Sequence, residues 1–172
     1  MSYKILGLFA AVALLSACET ATTAGGSSGG SGAGISNTST QQSATATKVV
    51  PGSQEDLVIS VGDSVYFEFN KFSLRADARN VLERQAAWLK SNPSVTFSIE
   101  GHCDERGTRE FNLALGERRA NSVKDYLVTM GINPVRIKTI SYGKERPVAM
   151  GSNNAAWAQN RRGVTRVTGA GS

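Results

Sequence analysis

The sequence is poor in the residues on which most catalytic and metal sites depend. Its 172 residues include one histidine, His102, and two cysteines, Cys18 and Cys103. One histidine leaves no second imidazole to complete a nucleophilic triad. Four adjacent side chains, such as those from His102 to Glu105, rarely bind one metal ion together, and the sequence has no distant His/Cys pair to complete a ligand set. We therefore expect no enzymatic activity, no bound metal and no cofactor.

The sequence also has no apolar run long enough to cross a membrane as a helix. The apolar run near the N-terminus, Ile5 to Leu15, has eleven residues and is typical of a signal peptide. It leads into Leu15-Ser16-Ala17-Cys18, which resembles the lipobox of bacterial lipoproteins and predicts a signal peptide over residues 1–17 and lipidation of Cys18. In Gram-negative lipoproteins, an aspartate directly after the lipidated cysteine retains the protein at the inner membrane. Here that residue is Glu19, so the resemblance implies an outer-membrane anchor. The alternatives are an ordinary signal peptide with a chance cysteine, or a buried helix.

Charged and large apolar side chains are almost absent from Glu19 to Thr47. Such a segment cannot bury enough apolar surface to offset the entropy lost when it is ordered. We expect lipidated Cys18 and a flexible Ala/Ser/Gly/Thr linker over residues 18–54, then one folded domain over residues 55–168. The formal net charge of +5 suits anionic partners in general. A secreted lipoprotein meets little nucleic acid, however, so nucleic-acid binding is not expected.

Strand and helix periods alternate along the rest of the chain. Residues 95–100 alternate strictly, which predicts a strand with Val95, Phe97 and Ile99 facing the core. Predicted strands are 65–69, 95–100, 136–142 and 163–167, and predicted helices are 74–90, 108–130 and 154–160. Strands separated by helices predict a two-layer α/β (α+β) domain with at least one parallel pairing.

Most of the ionisable variety lies in one stretch from Ile99 to Ala120, IEGHCDERGTREFNLALGERRA. Asp104 offers a carboxylate near a helix N-terminus, and Arg119, three turns into that helix, offers a planar fork to a carboxylate. Leu115 is an i,i+4 neighbour of Arg119 and would form an apolar wall beside the guanidinium. An amino-acid group carrying both charges would fit between them. In the alternative, Asp104 only caps the helix and Arg119 makes a surface ion pair.

Several runs in the domain resemble the outer-membrane-protein-A-like (OmpA-like) C-terminal domain family. They are VYFEFN, AAWL, IEGHCDERGT, FNLALGERRA, IKTISYGKERP and NRR. The resemblance implies a βαβαβ(αβ) fold with a mixed four-stranded sheet. It also implies non-covalent binding of the peptidoglycan stem peptide, through the free end of meso-diaminopimelate.

On that resemblance, Asp104 would meet the ammonium of diaminopimelate and Arg119 its carboxylate, with Leu115 as a wall. Asn70, Phe72 and Asn112 would complete the site. The expected protein is an outer-membrane lipoprotein with its domain in the periplasm. It would anchor the membrane to the wall with the proteins of the Tol system, in envelope integrity and cell division. The alternative function is an adaptor for the Tol complex, with wall binding secondary.

Two residues depart from the family pattern. Asn70 stands where the first strand ends in aspartate, which removes a charge that would hold an ammonium. Cys103 stands where the loop has threonine, and its unpaired thiol would be open to intermolecular pairing in an oxidising compartment. Arg161 and Arg162 are interpreted as structural, and Gly101, Gly107 and Gly116 as conformational or packing positions.

Overall fold

The computed structural model describes residues 49–169. The predicted signal peptide, the lipidation of Cys18 and most of the predicted linker lie outside this range. The described helices are α1 (Gln54–Ser60), α2 (Ala76–Ser91), α3 (Arg109–Thr129) and α4 (Asn154–Asn160), with a 3₁₀ turn at Pro134–Arg136. The strands are β1 (Ser64–Tyr66), β2 (Thr96–His102), β3 (Ile137–Gly143) and β4 (Arg162–Gly169). No helix in this part of the chain is both long and apolar enough to cross a membrane.

The four strands form one mixed sheet in the order β1-β4-β2-β3. Strands β2 and β3 run parallel, with Ile99 opposite Thr139, and β4 pairs antiparallel with both β1 and β2. The predicted mixed four-stranded sheet and its parallel pairing are therefore confirmed. The carboxyl end of β2 lies in the middle of the sheet and leads directly into the charged loop before α3.

Helices α2 and α3 cover one face of the sheet and enclose the core with it. The core positions predicted in β2 are confirmed, because Phe97 and Ile99 are fully buried and Val95 just before it is nearly so. Ser98, between them, is buried as well. Helix α3 begins where its sequence indicates. The Thr108 hydroxyl caps it by accepting a hydrogen bond from the Phe111 N–H at 3.2 Å.

Two glycines set the distance between β2 and α3. A Cβ on Gly101 would lie 1.8 Å from the carbonyl oxygen of Gly116, and a Cβ on Gly116 would lie 2.4 Å from the Ser141 hydroxyl oxygen. The strand and helix backbones therefore touch, which confirms both residues as packing positions. This contact fixes the start of α3 against the end of β2, where the charged loop connects them.

The first strand and the start of the domain differ from the prediction. β1 ends at Tyr66 instead of residue 69. The Phe67 N–H still donates to Arg161 O, but the chain then turns and leaves Phe69 about half exposed. Helix α1, which was not predicted, has only Leu57 buried, so its sequence carries almost no helical period.

Candidate ligand-binding site

A short loop, residues 103–108, joins β2 to α3 and is held at both sides. The Lys144 ammonium donates to Glu105 O and Gly107 O at 3.1 and 2.7 Å. The Asn112 amide nitrogen donates to Arg106 O and Thr108 O at 2.8 and 3.0 Å. Asn112 was predicted to meet the ligand, but both donors of its amide are bonded to loop carbonyls. It therefore stabilises the conformation of the loop that forms one wall of the site.

A cavity of about 230 Å³ opens between this loop, the turn after β1 and the first half of α3. Its walls are formed by Phe69, Asn70, Cys103, Asp104, Arg106, Gly107, Phe111, Asn112, Leu115 and Arg119. Five of the six predicted ligand-binding residues thus line one cavity. The sixth, Phe72, lines an adjoining cavity that shares Asn70 and Leu115 with the first.

Asn70 reaches the cavity from the turn after β1. Its φ of +54° lies in the left-handed region, and it is the one described non-glycine residue there. Asparagine and aspartate adopt this conformation more readily than most residues. The backbone therefore accepts either residue, and what Asn70 changes is the charge at the cavity wall.

The Asp104 carboxylate is buried and fully hydrogen-bonded. Its Oδ1 accepts from the Arg106 N–H and Nε at 3.2 and 3.1 Å. Its Oδ2 accepts from Arg106 Nη2 at 2.7 Å and from Arg161 Nη1 at 3.3 Å. Burial raises the pKa of Asp104, but the bonds from Arg106 and Arg161 outweigh it and hold the pKa below its usual value. Asp104 is therefore ionised and does not cap α3, whose cap is Thr108.

Arg119 is fully buried beside Asp104, and its guanidinium is bonded to backbone carbonyls. Nε donates to Lys71 O at 2.9 Å, Nη1 to His102 O at 2.7 Å and Nη2 to Glu68 O at 3.1 Å. Burial lowers the pKa of this arginine. The surface ion pair considered as an alternative is wrong, since no described carboxylate lies within ion-pair distance of it. The guanidinium also has fewer free N–H groups for a ligand than expected, because it links the turn after β1 to the end of β2.

Sequence reasoning missed two arginines at Asp104. Arg161 lies 57 residues further along the chain, donates from Nε to Phe67 O at 2.9 Å, and is only 14% exposed. Its interpretation as structural is right for the bond to Phe67, but the same guanidinium also reaches the cavity carboxylate. Arg106 holds its guanidinium 4.0 Å from the ring centres of both Phe69 and Trp157. Two guanidiniums therefore bond one carboxylate, and with the buried guanidinium of Arg119 beside them the site has a net positive charge.

The geometry of His102 and Cys103 is unsuited to nucleophilic catalysis. The Cys103 thiol is 3% exposed and donates to Asn112 O at 3.4 Å. Burial raises its pKa, whereas a reactive cysteine needs a lowered one. Burial also makes the expected intermolecular pairing wrong for the folded domain. Within residues 49–169, no three His, Cys, Asp or Glu side chains gather as metal ligands would.

His102 gives the domain a specific pH dependence. The imidazole is 2% exposed, and burial together with Arg162, Arg146 and Arg166 lowers its pKa to about 4. Between about pH 6.5 and pH 4 the unfolded chain binds a proton that the folded domain refuses. The free energy of unfolding is therefore not reduced by His102 above about pH 6.5, and it falls as the pH drops from about 6.5 towards 4.

We expect the free energy of unfolding to fall by about 2 kcal/mol between pH 7 and pH 5. Urea unfolding at several pH values measures it, and His102→Gln should flatten the profile because the sequence has no other histidine. An unchanged slope in that variant would assign the effect to other groups.

Comparisons with known proteins agree with the fold. Residues 66–161 match the OmpA family. The peptidoglycan-associated lipoprotein of Rhizobium meliloti is 55% identical over 122 residues, 71% of this chain and 69% of that protein. That of Pseudomonas putida is 41% identical over 158 residues, 91% of this chain and 93% of that protein. The crystal structure of the peptidoglycan-associated lipoprotein from Burkholderia pseudomallei has a TM-score of 0.60 and 42% identity, and covers 62% of this chain and 90% of that one.

Proposed function

The chain belongs to the OmpA family and, within it, to the peptidoglycan-associated lipoproteins, and on that premise we propose how it binds. The cavity between the loop 103–108 and α3 takes the free end of meso-diaminopimelate in the peptidoglycan stem peptide, without covalent reaction. One observation carries the proposal: Asp104 and Arg119, a carboxylate and a guanidinium, line the same cavity together with the apolar Leu115.

The free end of diaminopimelate carries an ammonium and a carboxylate on one carbon, at the end of a short methylene chain. Asp104 is the cavity's acceptor for the ammonium. A guanidinium has five N–H groups. Three of those on Arg119 donate to carbonyls and a fourth is within reach of the Cys103 sulfur, so one remains for the carboxylate. Leu115, 7% exposed, contacts the methylene chain. The net positive charge of the site attracts the carboxylates of the wall peptide.

The remaining parts of the proposal concern delivery. Lipidated Cys18 anchors the chain in the outer membrane, and the linker over residues 18–54 lets the domain reach the wall. Many tethered copies on one polymer bind with avidity, even when each site binds modestly. Through the Tol system, such a link couples the outer membrane to the wall during envelope maintenance and division. The lipid anchor in this proposal is supported by the relatives, which are named peptidoglycan-associated lipoproteins.

Asp104→Asn tests the site while keeping its shape. We expect binding to insoluble peptidoglycan, measured by co-sedimentation, to weaken about tenfold or more, since a charge-assisted hydrogen bond contributes about 1.5–3 kcal/mol. Asp77→Asn is the matched control, because Asp77 is exposed, pairs only with Arg75 and does not line the cavity. If folded Asp104→Asn sediments like wild type, the assignment of the cavity is wrong.

The adaptor function also has one observation in its favour. Phe69, Phe72 and Phe111 lie around the two cavities and are 56%, 45% and 50% exposed. Clustered exposed aromatic rings are typical of protein-binding surfaces. A Tol protein that is still captured by Asp104→Asn, but not after Phe72→Ala and Phe111→Ala, would support this second function.

A further inference from the structure

We propose that Arg106 is an internal competitor for the ligand's ammonium, and that it sets both the affinity and the cation preference of the cavity. The inference rests on the proposed function and concerns how the same site opens. A carboxylate has about four acceptor positions. On Asp104 all four are filled, three by Arg106 and one by Arg161. An ammonium reaches Asp104 only when one of these donors leaves.

Of the two arginines, Arg106 is the one free to leave. Arg161 is 14% exposed and is also bonded to Phe67 O, directly after β1. The side chain of Arg106 is 33% exposed, and its guanidinium has no polar partner besides Asp104 among the described residues. Its backbone N–H stays in place and continues to hold Asp104 when the side chain moves.

The position that Arg106 occupies is shaped for a cation. The guanidinium lies between the rings of Phe69 and Trp157, 4.0 Å from each centre, and both rings face it with their negative surfaces. Trp157 is fixed by a hydrogen bond from Nε1 to Glu105 Oε1 at 2.9 Å. When the guanidinium leaves, a ligand ammonium at Asp104 inherits a carboxylate and two aromatic faces. In the absence of ligand, Arg106 keeps the buried carboxylate neutralised.

Removing the Arg106 side chain should therefore increase the affinity for the ligand, whereas removing an ordinary contact residue decreases it. The apparent affinity equals the affinity of the open site multiplied by the fraction of time that the competitor has left it. Arg106→Met keeps an unbranched chain but ends short of the guanidinium position, so it removes the competing donors and leaves the space at the two rings open. We expect it to bind a diaminopimelate-containing tripeptide about tenfold more tightly than wild type, on the assumption that the site is open about a tenth of the time.

The experiment is calorimetry with the purified whole chain in detergent. Arg109→Met makes the same chemical change three residues along the chain, at a side chain that is 67% exposed and pairs with Glu145, so its affinity should stay at the wild-type value. Arg106→Ala also removes the competing donors and leaves both aromatic faces in place. It should tighten binding as well, which keeps the test valid if Arg106→Met folds poorly.

Fluorescence of Trp157 provides a readout that a purely structural role would not move. Trp157 and Trp88 are the two tryptophans, so Trp88→Phe isolates the signal. In wild type, peptide should change the emission only slightly, because one cation replaces another at the Trp157 ring. In Arg106→Met the change should be larger, because the ligand ammonium enters a position that no cation occupied. Weaker or unchanged binding by Arg106→Met, with wild-type binding still dependent on Asp104, would overturn this inference alone. Absence of any binding by wild type would overturn the proposed function with it.

Discussion

Replacing Arg119 with alanine is expected to lower the free energy of unfolding by about 3 kcal/mol or more and to abolish binding to peptidoglycan. The guanidinium is fully buried and holds three backbone carbonyls, of Glu68, Lys71 and His102. Without it all three carbonyls lose this donor, and the carbonyl of His102 is left unpaired in the buried interior, where such a loss costs about 1–3 kcal/mol. The same substitution removes the donor for the ligand carboxylate and loosens the turn that carries Asn70.

Urea unfolding followed by circular dichroism measures the stability, and co-sedimentation at low temperature measures binding by the fraction still folded. Arg109→Ala is the control, since it removes the same charge from an exposed position of the same helix. Arg119→Lys should recover little, because one ammonium does not have the geometry of the planar fork. Near wild-type stability of Arg119→Ala would show that the three carbonyl bonds contribute nothing.

Replacing Gly101 with alanine is expected to prevent stable folding. The added Cβ would lie 1.8 Å from Gly116 O, a backbone atom that moves only if α3 moves away from β2. We expect a loss of more than about 4 kcal/mol, a large share of the whole stability of a small domain. The α3–β2 contact also positions the loop that carries Asp104, so any folded fraction should bind peptidoglycan weakly.

Gly62→Ala separates this effect from the general loss of a glycine. Gly62 has a φ of +82° and open space around its Cβ position, so alanine there meets only backbone strain of about 1–2 kcal/mol. Thermal unfolding of the two variants side by side measures the difference. Equal melting temperatures for both would mean that the helix and the strand are not in backbone contact.

The sequence predicted well the elements whose local pattern agrees with their packing. Helix α3 has a capping threonine, buried positions at helical spacing and a glycine with φ of +90° just after its end, so its predicted range is nearly the observed one. Strand β2 alternates because only one of its faces meets the helices. In both, the residues that define the pattern are the same residues that fill the core.

Contacts made across the fold could not be predicted in the same way. Arg161 reaches Asp104 because β4 inserts between β1 and β2, and nothing near residue 161 indicates that strand order. β1 reads as longer than it is, because aromatic residues continue past Tyr66 to line the cavity. The spacing to Leu115 selects Arg119 over its exposed neighbour Arg118, but nothing in the sequence indicates that its guanidinium is fully buried and bonded to three carbonyls.

The most direct test of the binding site compares two soluble tripeptides that differ by one carboxylate. One ends in meso-diaminopimelate and the other in lysine, which keeps the side-chain ammonium and lacks the carboxylate beside it. A site built to hydrogen-bond a group rejects the analogue that lacks it. By isothermal titration calorimetry we predict that the diaminopimelate peptide binds about tenfold or more tightly than the lysine peptide. Equal affinity for the two peptides would contradict a cavity that recognises both charges.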